Sequence, residues 1–161
     1  MDVLVDDLLD DMRATHARWS DEGDYPAVAA AFADLEADGI LARMNFTCCN
    51  TCGHDEIRDE EGAAGARGYV FFHEQDSARL GPDGSDLYLG FGSLQTPDPE
   101  TAAAARAGDE AARARLDAGD VEIGRAAEAA LTARGLSVTW NGTIQQRLAV
   151  TGLDWRKLPP R

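Results

Sequence analysis

Ile40-Leu41-Ala42-Arg43-Met44-Asn45-Phe46-Thr47 runs without a break into Cys48-Cys49-Asn50-Thr51-Cys52-Gly53-His54. In the first half, Ile40, Ala42, Met44 and Phe46 alternate with Leu41, Arg43, Asn45 and Thr47. That period of two predicts a strand with one buried face. In the second half, Thr47 is placed to cap a short helix that begins at Cys48. This junction between strand and helix holds all three cysteines of the chain.

Upstream, Leu4, Leu8, Met12, Thr15 and Trp19 recur at helical spacing over residues 3–19, with the acids largely elsewhere. Pro26 suits a first helical turn after Asp24 or Tyr25, Val28, Phe32 and Leu35 extend an apolar stripe, and Gly39 suits a left-handed cap. Two amphipathic helices joined by a short polar turn predict an antiparallel hairpin over residues 1–39. Downstream, Tyr69-Val70-Phe71-Phe72-His73 is apolar on both faces and predicts a central strand. Asp86 to Phe91 predicts a third strand. The Ala/Arg-rich segment 100–118 has high helix propensity and little core value, with a break expected at Gly108. A better helix starts at Asp120 and stops at Gly135. Leu136 to Trp140 and Ile144 to Val150 flank Asn141-Gly142, a strong hairpin signal. Trp155 reads as a terminal plug and Pro159-Pro160 as a frayed end.

The expected architecture is one α+β domain over residues 1–161. The helical hairpin is followed over residues 40–155 by a ferredoxin-like βαββαβ antiparallel sheet, extended by a C-terminal β-hairpin.

The chain carries 29 acidic and 15 basic residues, a formal net charge of -14, and Lys157 is its one lysine. Such a surface argues against nucleic acid or an anionic membrane as partner, and leaves another protein as a candidate. No apolar run approaches the ~20 residues of a membrane helix. The start of the chain has no signal-peptide pattern, so a cytoplasmic location is expected. In a reducing compartment, clustered cysteines point to free thiols, a metal site or redox chemistry before a disulfide framework.

Four segments together have a familiar look: Asn45 to Gly53, Gly68 to Asp76, Leu87 to Gly92 and Gly135 to Gly142. They are similar to the signature of domain of unknown function 6891, a largely actinobacterial family. The resemblance runs from Gly39 to Trp155 and implies no activity.

Three readings of the cysteines compete. Cys49-x-x-Cys52 has knuckle spacing for zinc or another soft metal, with Cys48, His54 or His73 available to complete a tetrahedral set, although no second knuckle is present. A positional analogy with copper-carrying ferredoxin-like domains rests on Met44 ahead of the thiols. Alternatively Cys49 and Cys52, in or near a first helical turn, do redox chemistry. In the third reading the thiols only fill a junction as small apolar groups. A second polar cluster, His73-Glu74-Gln75-Asp76, follows an apolar strand. His73, Gln75 and Asp76 are candidate site residues there, set against the reading of a capped strand-end turn. The functional expectation is a non-enzymatic binding or regulatory domain whose cysteines are structural or hold a metal, with a thiol-redox protein as the alternative.

Overall fold

The computed structural model describes residues 2–157. The proline pair at 159–160 and the side chain of Leu4 lie outside the described residues. Helices α1 (Asp2–His16) and α2 (Tyr25–Ala37) lead into strand β1 (Ile40–Arg43). Helix α3 (Asn50–Glu56) and two 3-10 turns, Ile57–Asp59 and Ala63–Gly65, precede β2 (Gly68–Phe71). Then come α4 (Glu74–Ser77), β3 (Ser85–Ser93), α5 (Pro99–Arg106), α6 (Glu110–Ala133), β4 (Ser137–Thr139) and β5 (Leu148–Leu153).

The fold is α+β with a five-stranded mixed sheet in the order β1-β2-β3-β5-β4. Strand β1 runs parallel to β2, and the other neighbours are antiparallel. This corrects the ferredoxin-like expectation. In that plan the first strand lies inside an antiparallel sheet, whereas here it forms an edge and pairs with the next strand in sequence. The reason is the long connection at 44–67, which crosses over and returns the chain in the same direction, as a parallel pair requires.

One face of the sheet buries Val70, Phe72, Leu87 and Leu89 against Val28, Phe32 and Leu35 of α2 and Ile123, Ala127 and Leu131 of α6. The other face holds a smaller cluster, with Tyr69 and Phe71 of β2 packed against Leu41, Ile57 and Ala63. Strand β2 is thus apolar on both sides because both sides are covered. The expected helical hairpin is also corrected. Helix α2 spends its apolar stripe on the sheet and α6, and Val5, Leu8, Leu9 and Met12 of α1 stay exposed.

Several local expectations match what the chain does. Gly39 and Gly135 have positive φ after their helices, and Gly108 does so between α5 and α6. Helix α6 starts at Glu110, ten residues before the expected Asp120, because Asp109 caps it by accepting from the Ala112 amide. The C-terminal strands do pair as an antiparallel hairpin, but through residues 140–147, a wider connection than Asn141-Gly142 alone. Trp140 Nε1 holds this loop by donating to the carbonyls of Thr143 and Gln146, both at 3.0 Å. Trp155 is buried against Tyr25 and Phe72.

The seat of α3 depends on a missing side chain. Gly53 is buried, and a Cβ there would lie 2.2 Å from the Phe71 ring. Gly53→Ala is therefore expected to destabilise the protein by about 1–3 kcal/mol through overpacking, read as a lower midpoint in urea unfolding. Gly65→Ala, where the added Cβ meets nothing within 4 Å, is the matched control.

Candidate functional site

The parallel pairing of β1 and β2 sets where the two candidate segments lie. Both strands end on the same side, and the chain beyond them stays paired. Phe46 donates to the Phe72 carbonyl at 2.8 Å and Glu74 to the Thr47 carbonyl at 3.0 Å. The stretch leading to the cysteines and the stretch holding His73 therefore lie side by side at the C-terminal ends of two parallel strands, a common place for sites in sheets of this kind.

Between β1 and α3 the backbone is forced. Asn45 and Thr47 both have positive φ, at 53° and 57°. Asn tolerates this region, but for the β-branched Thr47 it costs on the order of 1–3 kcal/mol. Asn45 is held by a side-chain contact with Ser77 of α4, and Thr47 Oγ1 donates to the Cys49 carbonyl at 3.3 Å. Thr47 is not the helix cap expected of it. The N-cap is Cys49, with extended backbone at φ -152° and ψ 172°. Two left-handed residues turn the chain sharply, and α3 starts two residues later than the reading from sequence has it.

The turn gathers the thiols. All three cysteines are free; Cys48 is exposed, and Cys49 and Cys52 are partly exposed. Their sulfurs all lie within 4.8 Å of one another, with Cys48 Sγ 3.7 Å from Cys52 Sγ. They are not core-filling groups, since neither apolar cluster includes them. The thiols share protons unequally. Cys49 is held below the usual thiol range, first by the Cys52 backbone N–H, which lies outside normal cap geometry, and then by the Cys52 and Cys48 thiols. Cys52 is pushed up to about 12, by its hydrogen bonds with the Cys49 and Cys48 thiols and because it would be a further negative charge beside them.

His54 does not join the sulfur group. It lies beyond Gly53 on the side of α3 that faces the sheet, and its Nδ1 is 2.6 Å from Tyr69 Oη. Its ring stands edge-on to Phe71 at 5.1 Å. Burial, with Arg147 and Arg58 nearby, holds the imidazole below its usual range, and burial pushes the Tyr69 phenol up to about 12. A protonated Tyr69 donating to Nδ1 leaves the ring hydrogen of His54 on Nε2. Met44, of the copper analogy, lines a different hollow with Met12, Tyr25, Phe72 and Trp155.

His73 and Asp76 are both buried, at 5% exposure each. His73 caps α4: its Nδ1 accepts from the Asp76 amide at 3.2 Å, and its Nε2 lies 3.0 Å from Asp76 Oδ2. Nδ1 as acceptor and Nε2–H as donor describe a neutral imidazole. Asp76 also takes a two-pronged contact from Arg147, at 3.1 Å and 2.7 Å, and Arg147 donates to the Tyr88 carbonyl at 2.8 Å. His73 and Asp76 thus form a clamp tying the end of β2 to the start of β5, which is the capped-turn reading. Gln75 is exposed beside them.

Arg147 is the residue that a reading of the sequence misses. Its signal is a lone charge in the otherwise uncharged run Ile144-Gln145-Gln146-Arg147-Leu148-Ala149-Val150, and its partner lies 71 positions away.

The family model described as a domain of unknown function, DUF6891, matches residues 1–158. The chain belongs to that family. No curated protein and no solved structure matches it. Membership of DUF6891 names no chemistry, so the functional reading rests on the thiol cluster and its surroundings. No described helix is long and apolar enough to cross a membrane.

Two expectations follow from the clamp. Asp76→Asn leaves the Arg147 guanidinium without its carboxylate. It is expected to cost about 3 kcal/mol, the lower end for a broken buried pair, because Arg147 is partly exposed; denaturant unfolding reads it. Burial also holds the His73 imidazole below its usual range. The unfolded chain then takes up this proton first as the pH falls below about 6.5, so stability is lost on the acid side and not gained. His73→Asn keeps a capping acceptor without the titration. It is expected to flatten the decline in unfolding free energy between about pH 6.5 and 5.

Proposed function

We propose that this member of DUF6891 is a non-enzymatic binding or regulatory domain of the bacterial cytoplasm, built as one α+β unit, whose Cys48, Cys49 and Cys52 hold a soft metal ion. The observation that carries this reading is the convergence of three free sulfurs within 4.8 Å at the surface. Zinc–thiolate bonds of about 2.3 Å in a tetrahedral set place sulfurs about 3.8 Å apart. The 3.7 Å between Cys48 and Cys52 is already at that spacing. Thiolates select zinc or copper(I) over harder ions. Binding displaces the thiol protons, so the metal would overcome the high proton affinity of Cys52. With His54 engaged at Tyr69, the set is three sulfurs, and the remaining position is open to solvent or to a thiol or imidazole of a partner protein.

A second reading rests on the free Cys49 and Cys52 sulfurs lying within 4.8 Å of each other, with Cys49 held below the usual thiol range by its hydrogen bonds to Cys52 and Cys48. Here the Cys49 thiolate attacks a small-molecule disulfide and releases one thiolate. Cys52 then loses its proton, attacks the mixed disulfide and releases the second thiolate, leaving a Cys49–Cys52 bond.

Full-length protein purified under reducing conditions and offered zinc(II) or copper(I) is expected to retain about one equivalent of metal by elemental analysis. Protection of the thiols from an aromatic disulfide reagent should accompany it, and Cys52→Ser and Cys49→Ser should each lose both. A metal-free chain that forms a reversible Cys49–Cys52 disulfide transfers the function to the second reading. Three thiols that bind nothing and do not cycle overturn both.

A further inference from the structure

A cavity of about 250 Å³, lined by none of the three cysteines, lies where β3 leaves β5 and pairs only with β2. His54, Arg58, Tyr69, Asp120, Gln146 and Arg147 supply its polar lining. Among the described residues, Arg58 has no carboxylate within 4.0 Å and Asp120 no basic group. Arg58 stands over the Tyr69 ring, 6.0 Å from its centroid. Here it shares a small cavity with a carboxylate that it does not reach.

Two other charges act near the cavity: Asp55, which faces His54 and Tyr69 without a basic partner among the described residues, and Arg147. Arg147 is neutralised by Asp76. Its Nε–H nonetheless remains buried with no acceptor, and a buried donor of this kind costs about 1–3 kcal/mol until an acceptor reaches it. Asp120 gives one oxygen to the Ser93 amide at 2.7 Å, which orients the carboxylate. The His54–Tyr69 hydrogen bond uses Nδ1 and leaves Nε2 of His54 for a further polar contact. Ile144, Leu89 and Phe91 add apolar surface. A guanidinium and a carboxylate that are not paired with each other, an unpartnered N–H on Arg147 and a short apolar wall describe the complement of a small molecule that carries both charges.

We propose that this cavity binds a free α-amino acid with a short apolar side chain, its carboxylate on Arg58 and its ammonium on Asp120. The volume lies just below the usual range of ligand pockets, about 300–1,000 Å³, which suits a ligand of that size. A guanidinium fork matches a carboxylate in two-pronged geometry. A plain anion would meet Asp120 as a like charge and a plain amine would meet Arg58, so each half-molecule is disfavoured by the group that the whole molecule uses.

The test is calorimetric titration of the full chain with L-alanine, L-valine and L-leucine. It is paired with 4-methylpentanoate, which lacks the ammonium of leucine, and 3-methylbutylamine, which lacks its carboxylate. Saturable binding of at least one amino acid is expected, with both half-molecules at least about tenfold weaker, the equivalent of 1.4 kcal/mol. Arg58→Gln, at an exposed position, should weaken the amino acid by about the same factor with the unfolding midpoint unchanged. Asp120→Asn keeps an oxygen for the Ser93 amide and should also weaken it. The proposal is overturned if none of the three amino acids saturates, if either half-molecule binds as well as leucine, or if Arg58→Gln binds as tightly as the parent chain.

Discussion

Strand β2 can lie parallel to β1 only if the chain travels back along the sheet between them. Residues 44–67 make that journey, and most of what is distinctive in the molecule follows from it. The return path needs a sharp exit from β1, supplied by the left-handed Asn45 and Thr47. It also needs a short helix that can sit flat on the sheet, which Gly53 allows by leaving room for the Phe71 ring. The exit turn is where the sulfurs meet. The face of α3 turned to the sheet is where His54 meets Tyr69. One crossover thus places a thiol group outward and an imidazole inward from neighbouring residues of a single helix.

The same pairing sets two polar systems next to each other without merging them. The main chain at Thr47 accepts from Glu74, so the cysteine turn and the start of α4 share a wall. Yet the side chain of His73 turns into the protein to serve Asp76 and Arg147. A buried carboxylate with bidentate and capping partners contributes less to net stability than to uniqueness of arrangement, since its desolvation offsets much of its attraction. Its effect here is to hold residue 147, and with it the 140–147 loop, against the end of β2. That loop forms one wall of the cavity bounded by Arg58 and Asp120. The clamp therefore shapes the proposed binding surface even though His73 and Asp76 do not line it.

Much of the local structure was legible in the residues. The alternation at 40–46, the two-sided apolar run at 69–73, and the stops at Gly39, Gly108 and Gly135 depend on backbone propensity and burial over a few residues. The stops and β2 appear where the pattern puts them, but β1 ends at Arg43 with Leu41 buried on its second face and Met44 exposed, so it is not the one-sided strand over 40–46 that the alternation predicts. The closeness of the three cysteines was legible only in part: an extended chain would put Cys48 and Cys52 about 13 Å apart, and the turn at Asn45 and Thr47 with the start of α3 brings the sulfurs within 4.8 Å. Less accessible were the assignments that depend on partners distant in sequence. His54 was a plausible fourth ligand by spacing. Only Tyr69, brought opposite it by the crossover, gives its Nδ1 another partner. Thr47 has the right chemistry for a cap, but its left-handed backbone carries the chain past that position to Cys49.

By itself the sequence determined the α+β class, the approximate positions of the strands, the glycine stops of the helices, and a cysteine-rich junction after the first strand. These are properties of local periodicity, glycine placement and composition. Tertiary structure alone decided that β1 pairs parallel at an edge and not inside a ferredoxin-like sheet, that α1 keeps its apolar residues exposed, and that Arg147 closes on Asp76. Strand order and long-range ion pairs depend on which of several similar apolar faces meet. Short-range pattern is the same for each of those arrangements, so it does not choose among them.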